Sequence, residues 1–133
     1  MTVTIYHNPN CGTSRNVLEM IRRTGEEPNI VFYLETPPTR EELEMLLVQM
    51  RMPARGLLRQ KGTPYDALGL EDETLSEDQL IDAMMMHPIL INRPIVISEN
   101  GAALCRPSEK VLDLLKTPLY GSFTKEDGQV VQL

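Results

Sequence analysis

The sequence predicts a mixed α/β domain in which helices pack against one sheet. Short runs rich in β-branched and aromatic residues alternate with segments whose apolar residues recur at helical spacing. The elements follow the order β-α-β, then a helical segment, then β-β-α, and no linker is long enough to divide two domains. We therefore expect residues 1–133 to form a single domain with a helical insertion at about residues 37–88.

The first elements form a βαβ unit. Alternation over Thr2–His7 predicts a strand, and Asn29–Leu34 reads as a second, buried strand. Between them the spacing predicts a helix over Cys11–Thr24, with Asn10 as its N-cap and Gly25 at its C-terminal end. The two strands should be parallel and the connection right-handed.

Two capping boxes mark helices in the insertion. Thr39 stands three residues before Glu42, and Ser76 stands three residues before Gln79; each pair precedes apolar residues at helical spacing. Between these helices a proline stops the first and opens a short helix, predicted at Ala54–Gln60.

The last third of the chain returns to strands. A strand is predicted at Pro94–Ser98, and the Asn-Gly pair at 100–101 joins it to a second strand at Ala102–Cys105. Pro107 should open a final helix, and residues 120–133 should form a polar tail.

This order of elements matches the thioredoxin fold, so the fold class we expect is α/β with a thioredoxin-like mixed sheet. That fold keeps a reactive cysteine at the turn from the first strand to the first helix, and a proline before the third strand faces it. Cys11 and Pro94 stand at these two places.

Charge and composition exclude several classes of protein. The net charge of −6 disfavours non-specific binding to nucleic acid and to anionic membranes. No apolar run approaches the length of a membrane span, and the N-terminus lacks the pattern of a secretory signal, so we expect a cytoplasmic protein. Two cysteines far apart make no disulfide framework, and no zinc-like spacing is present, so we expect neither a metal nor a bound cofactor.

Cys11 is the candidate nucleophile. An ordinary thiol is only about 3% thiolate at pH 7, but the N-terminus of a helix favours an anion. A protonated His7 would add a positive neighbour, although a histidine at a strand end can also merely fill space. The alternative for Cys11, a buried structural cysteine, fits poorly with a turn rich in proline and glycine at the start of a helix.

The motif at Cys11 excludes two chemistries. It reads Cys-Gly-Thr-Ser, so Ser14 replaces the second thiol of a dithiol oxidoreductase. The phosphate loop of cysteine phosphatases is also excluded, because Val17 stands where that loop needs arginine. Cys11 therefore needs an external thiol or Cys105 to resolve its adducts, and the role of Cys105 stays open.

Three arginines are candidates for binding a tetrahedral oxyanion through bidentate hydrogen bonds. Arg59 falls in the predicted short helix, Arg93 directly precedes Pro94, and Arg106 directly precedes Pro107. Each taken alone reads more simply as a solvated surface arginine, but the set together with Cys11 favours an anion site.

Three blocks in order, Ile5–Asn16, His87–Val96 and Leu104–Glu109, strongly resemble the glutaredoxin-linked arsenate reductases of the ArsC family. A fourth segment, Phe123–Gly128, is similar to the tail of that family. The resemblance implies an arsenate reductase for arsenic detoxification. It implies that arsenate is the substrate, that glutathione is the co-substrate, and that glutaredoxin is the partner.

The resemblance also assigns the site residues. It implies that Cys11 is the nucleophile, that His7 lowers its pKa, and that Arg59, Arg93 and Arg106 hold arsenate and its adducts. Two alternatives stay open: an Spx-like regulator that binds RNA polymerase, and a glutathione-dependent thiol transferase acting on another substrate. The first typically carries a Cys-x-x-Cys switch, which Ser14 breaks.

Overall fold

The computed structural model describes residues 2–133 and divides the chain into two compact units. The first comprises the segment up to Phe32 together with Arg93–Leu133, and the second is Tyr33–Asn92. The helical segment expected at about residues 37–88 lies within the second unit. Over residues 2–133, every helix is too short or too polar to cross a membrane.

The first unit is built on a four-stranded mixed sheet. Its order is β2-β1-β3-β4, with β1 parallel to β2 and antiparallel to β3, and with β3 antiparallel to β4. One helix, α1, connects β1 to β2 along the chain. The ranges are β1 Thr4–Tyr6, α1 Gly12–Arg23, β2 Asn29–Val31, β3 Ile95–Ser98 and β4 Gly101–Leu104.

The buried face of α1 and the central strands share one apolar core. The helix turns Val17 and Ile21 inward with no exposed surface, while Arg15 and Arg22 remain exposed on its outer face, as their spacing predicted. Gly25 follows the helix at φ +87°, a left-handed conformation that glycine adopts without steric cost. The core cluster contains Val3, Ile5, Val17, Leu18, Met20, Ile21, Val96, Cys105, Val111, Leu114, Leu115 and Phe123.

The second strand differs from its prediction. The run Asn29–Leu34 suggested a buried strand, but β2 ends at Val31, and Phe32 is 40% exposed. The reason is topological, because β2 is the edge of the sheet and pairs with β1. A run of β-forming residues does not reveal whether its strand is central or at an edge.

The C-terminal segment also differs from its prediction. The final helix is a 3-10 helix over Ser108–Leu114, and residues 120–133 are not a polar tail. They form an antiparallel hairpin of β5 (Ser122–Thr124) and β6 (Val130–Gln132), in which Phe123 pairs with Val131. Both of these side chains are buried, and Phe123 belongs to the core cluster, so apolar residues in a polar segment help to attach the hairpin to the core.

The second unit contains three α-helices and one 3-10 helix. The α-helices are α2 (Arg40–Met50), α3 (Ala54–Leu57) and α4 (Glu77–Met86), and the 3-10 helix is Pro88–Leu90. Both predicted capping boxes are confirmed, because Thr39 and Ser76 each exchange hydrogen bonds with the third residue of the helix that follows.

The short helix α3 ends three residues earlier than predicted. Leu58 forms a β-bridge with Ile91, and the backbone N–H of Arg59 donates to the Leu90 carbonyl at 2.8 Å. Arg59 therefore follows the helix and does not lie within it.

Candidate active site

Cys11 is itself the N-cap of α1, one residue later than the predicted cap Asn10. The loop before it is closed by local hydrogen bonds: the Asn10 N–H donates to the Asn8 side chain at 2.9 Å, and the Cys11 N–H donates to the Asn8 carbonyl at 3.0 Å. Cys11 is 6% exposed. Its sulfur thus stands at the positive end of a 12-residue helix, in a rigid loop and partly withdrawn from water.

Two arginines of the first unit lie near this sulfur. A guanidinium nitrogen of Arg106, Nη1, lies 3.7 Å from the Cys11 sulfur, and the same nitrogen donates to the Arg93 carbonyl at 3.1 Å. The Arg93–Pro94 and Arg106–Pro107 peptide bonds are both cis. Arg93 lines the same cleft as Cys11, and its positive charge acts on the Cys11 thiol.

These groups set the pKa of the Cys11 thiol. Burial acts to raise it, but hydrogen bonding from the Ser14 backbone N–H and the positive charges of Arg93 and Arg106 act in the opposite direction and prevail. The pKa therefore lies below that of an ordinary thiol. A thiolate at this position is a ready nucleophile at neutral pH.

The surroundings of His7 act against the positive charge that the sequence suggested for it. Burial first, and then the positive charges of Arg22 and Arg15, lower its pKa below the ordinary value of histidine. Its Nδ1 lies 2.6 Å from the hydroxyl oxygen of Ser14, which also accepts a hydrogen bond from the Asn8 N–H. The charges that lower the Cys11 pKa include the guanidinium groups of Arg93 and Arg106, and His7 stays a predicted catalytic residue that contacts Ser14.

The sulfur opens into a polar cleft of about 620 Å³. The sequence predicted Cys11, Arg93 and Arg106 in this cleft, but it missed the wall formed by the C-terminal hairpin. The only signal for that wall was the resemblance of Phe123–Gly128 to the family's tail. The lining residues from the hairpin are Lys125, Glu126, Asp127 and Gln129.

The remaining candidates have other surroundings. Arg59 belongs to the second unit, where its Nε donates to the Lys61 carbonyl at 3.0 Å, and its part in anion binding stays a prediction. Cys105 is a free thiol with no exposed surface, and burial raises its pKa to about 12. It is therefore a neutral thiol at pH 7.

The two thiols should differ sharply in alkylation by iodoacetamide. Because the Cys11 pKa is lowered, its reaction rate should remain high below pH 8 and fall only as acid protonates the thiolate. Cys105 should stay unmodified in the native protein because it is buried and protonated. Peptide mass spectrometry after timed labelling from pH 4 to 10 measures both. A Cys11 midpoint at or above the value of a free thiol, about 8.5, would contradict this assignment.

Comparison with known proteins identifies the group to which these features belong. The family model described as the ArsC family matches residues 6–114, a span that includes Cys11 and all three candidate arginines. The chain belongs to the ArsC family. The family resemblance expected from the sequence blocks is thereby confirmed.

Individual ArsC-family relatives are similar along nearly the whole chain. A protein from Yersinia enterocolitica named arsenate reductase is 58% identical over 129 residues, which cover 97% of this chain and 92% of the relative. An arsenate reductase from Rhizobium meliloti (strain 1021) is 56% identical over 131 residues, covering 98% and 94%. The solved structure of the arsenate reductase from Vibrio cholerae superposes with a TM-score of 0.82 at 44% identity, covering 86% of this chain and 98% of that one. The thioredoxin-like fold class is thus confirmed.

Proposed function

We propose that this ArsC-family chain is an arsenate reductase in which the Cys11 thiolate attacks arsenic, with glutathione and glutaredoxin supplying the electrons. The observation that carries the proposal is the contact of 3.7 Å between the Arg106 guanidinium and the Cys11 sulfur. It supplies both parts of the chemistry, a stabilised thiolate and a cation for the oxyanion that the thiolate attacks. The names of the relatives that are 56–58% identical support arsenate as that oxyanion.

The first step is a displacement at arsenic(V). The Cys11 thiolate forms a sulfur–arsenic bond, and one arsenate oxygen is protonated and leaves as water. The guanidinium groups of Arg93 and Arg106 hold the negative oxygens and stabilise the charge that remains on them. Arsenic is still in the +5 state after this step.

The later steps need two electrons from outside thiols. The thiolate of glutathione attacks arsenic and forms a second sulfur–arsenic bond, and a second arsenate oxygen is protonated and leaves as water. The thiolate of glutaredoxin then attacks the glutathione sulfur and forms a mixed disulfide, and the electron pair of the broken sulfur–arsenic bond reduces arsenic from +5 to +3. Water displaces Cys11 from arsenic, so arsenite leaves and the Cys11 thiolate is restored. Overall, arsenate and two thiols give arsenite, one disulfide and water. A protein that depends on glutathione in this way belongs in the reducing cytoplasm.

The dimensions and the thiol chemistry support this cycle. Small-molecule sites usually enclose roughly 300–1,000 Å³, so a cleft of about 620 Å³ holds an oxyanion with room for a second thiol beside it. Ser14 takes the place of an internal resolving thiol at the motif, and Cys105 is buried and protonated. The reducing thiol therefore has to come from solution.

A coupled assay tests the proposal. NADPH oxidation is followed with glutathione, glutathione reductase, glutaredoxin and arsenate, and omission of each component gives the controls. We expect oxidation that requires arsenate and glutaredoxin together. With glutaredoxin omitted, oxidation without arsenate on a model mixed disulfide would instead indicate a thiol transferase. Arsenate-dependent turnover that prefers thioredoxin and thioredoxin reductase would overturn the assigned electron donor, while absence of all turnover would overturn the reductase itself.

Replacing Cys105 with serine should leave this turnover within about twofold of wild type. The thiol is fully buried, and its pKa of about 12 keeps it protonated, so it is a poor resolving nucleophile. The measurement is kcat in the same coupled assay with glutathione and glutaredoxin saturating. A fall of a hundredfold in a folded Cys105→Ser protein would make Cys105 part of the redox cycle.

A further inference from the structure

We infer that the C-terminal hairpin β5–β6 is a strap that holds Arg106 against the Cys11 sulfur, and that Lys125 is the positioning residue through which it acts. The inference deepens the proposed function and rests on it for its effect on arsenate turnover. The turn of this strap, residues 125–129, forms one wall of the cleft beside Cys11.

One end of the strap is fixed to the segment that carries Arg106. The Lys125 ammonium donates to a carboxylate oxygen of Glu109 at 2.9 Å and to the side-chain oxygen of Gln129 at 3.1 Å. Glu109 stands three residues after Arg106, in the first turn of the 3-10 helix. The Lys125 side chain is only 8% exposed, so this ion pair is little screened by water, and losing its partner would leave a buried charge.

The next residue, Glu126, is fixed to the segment that carries Cys11. Glu126 receives two parallel hydrogen bonds from Arg15, at 2.9 Å from Nε and 2.8 Å from Nη2. The third nitrogen of Arg15 donates to the Pro9 carbonyl at 2.7 Å, and the Glu126 N–H donates to the Asn16 side chain at 3.2 Å. The strap is thereby tied to the loop before Cys11 and to the first turns of α1.

Two consecutive residues of the strap therefore bind the two segments that form the site. Lys125 is ion-paired with Glu109, in the segment that carries Arg106. Glu126 is ion-paired with Arg15, in the helix that follows Cys11. The positive charge of a guanidinium stabilises a thiolate strongly only at short distance, because the attraction weakens with distance and water then screens it. The strap keeps the Arg106 guanidinium at a short distance from the Cys11 sulfur, and loosening the strap should increase that distance.

If the hairpin only stabilised the fold, substitutions in it would change Cys11 alkylation through direct electrostatics alone. A substitution at Glu109 distinguishes that explanation from the strap. Glu109→Met removes a negative charge near the site, so direct electrostatics would lower the pKa of Cys11 and speed its alkylation. A loosened strap moves Arg106 away, which raises that pKa and slows alkylation. The direction of the change in Glu109→Met thus decides between the two explanations. In Lys125→Met both effects slow alkylation.

The matched control is Lys116→Met. Lys116 is also ion-paired, to Glu99 at 3.5 Å, but this pair is exposed. It stands at the opposite end of the sheet, since Glu99 follows β3 and β3 is antiparallel to β1, which leads to Cys11. This variant should leave both alkylation and turnover at wild-type levels.

The experiment measures Cys11 alkylation against pH and kcat/KM for arsenate in the three variants of the full chain. We expect alkylation at pH 7 to slow about threefold in Lys125→Met and in Glu109→Met, with the midpoint moving upward. We expect kcat/KM to fall about tenfold in both. Alkylation at or above the wild-type rate in Glu109→Met overturns the strap, whatever the change in melting temperature, and this variant decides alone if Lys125→Met does not fold. Because alkylation needs no arsenate, a wild-type protein without arsenate turnover would refute the proposed function and still leave the strap tested.

Discussion

Replacing Cys11 with serine is expected to reduce arsenate turnover at least a thousandfold. Serine preserves the size and polarity of the side chain, but its hydroxyl is not ionised by the helix N-terminus and two guanidinium groups at neutral pH. It also cannot form the sulfur–arsenic bond on which the proposed cycle depends. The measurement is the arsenate-dependent rate of NADPH oxidation in the coupled assay, with far-UV circular dichroism to confirm that the variant is folded.

The control for this prediction is Cys105→Ser, the same change at the other cysteine. That variant separates loss of a particular thiol from a general effect of removing sulfur. Residual turnover above about one hundredth of wild type in Cys11→Ser, with Cys105→Ser unaffected, would show that Cys11 is not the nucleophile.

Replacing Arg106 with alanine should reduce kcat/KM for arsenate about a hundredfold to a thousandfold, the usual effect of removing one donor to a developing oxyanion. The change removes the group that contacts the Cys11 sulfur at 3.7 Å and that also bonds to the Arg93 carbonyl at 3.1 Å. The thiol should lose one of its two cationic neighbours at the same time. Alkylation of Cys11 should therefore require a higher pH than in the wild type.

Two further variants show which property of Arg106 is needed and whether the effect is specific to this arginine. Arg106→Lys keeps the charge and loses the planar, bidentate geometry, so it should recover the pH profile of Cys11 better than it recovers kcat/KM. Arg51→Ala removes an exposed arginine at the C-terminal end of α2 in the second unit, and its turnover should match wild type. An Arg106→Ala protein with unchanged kcat/KM would remove this arginine from the anion site.

The local features of the fold could be predicted from the sequence because each depends on near neighbours in the chain. Both capping boxes arise from side chains within a few residues of the backbone groups they satisfy, and Gly25 adopts its left-handed conformation because it has no side chain. The hairpin between β3 and β4 was also predicted, but Ser98 pairs with Gly101, so its turn is Glu99–Asn100, one residue before the predicted Asn-Gly pair. The predictions that were wrong concern features that depend on residues distant in the sequence. β2 is an edge strand because of where β1 and β3 lie, and the polar segment at 120–133 becomes a hairpin because Phe123 and Val131 reach the core.

The candidate site divides in the same way. The sequence alone determined the candidate nucleophile, because a cysteine between a strand and the start of a helix stands where the helix N-terminus favours a thiolate. Only the tertiary structure decided what surrounds the sulfur. It brings Arg93 and Arg106 to Cys11, turns His7 towards Ser14, and places Lys125 and Glu126 along the cleft. The physical reason is that a charge acts through space over a few ångströms, and a distance of that size between residues 11 and 106 is set by the packing of the sheet, the helix and the hairpin.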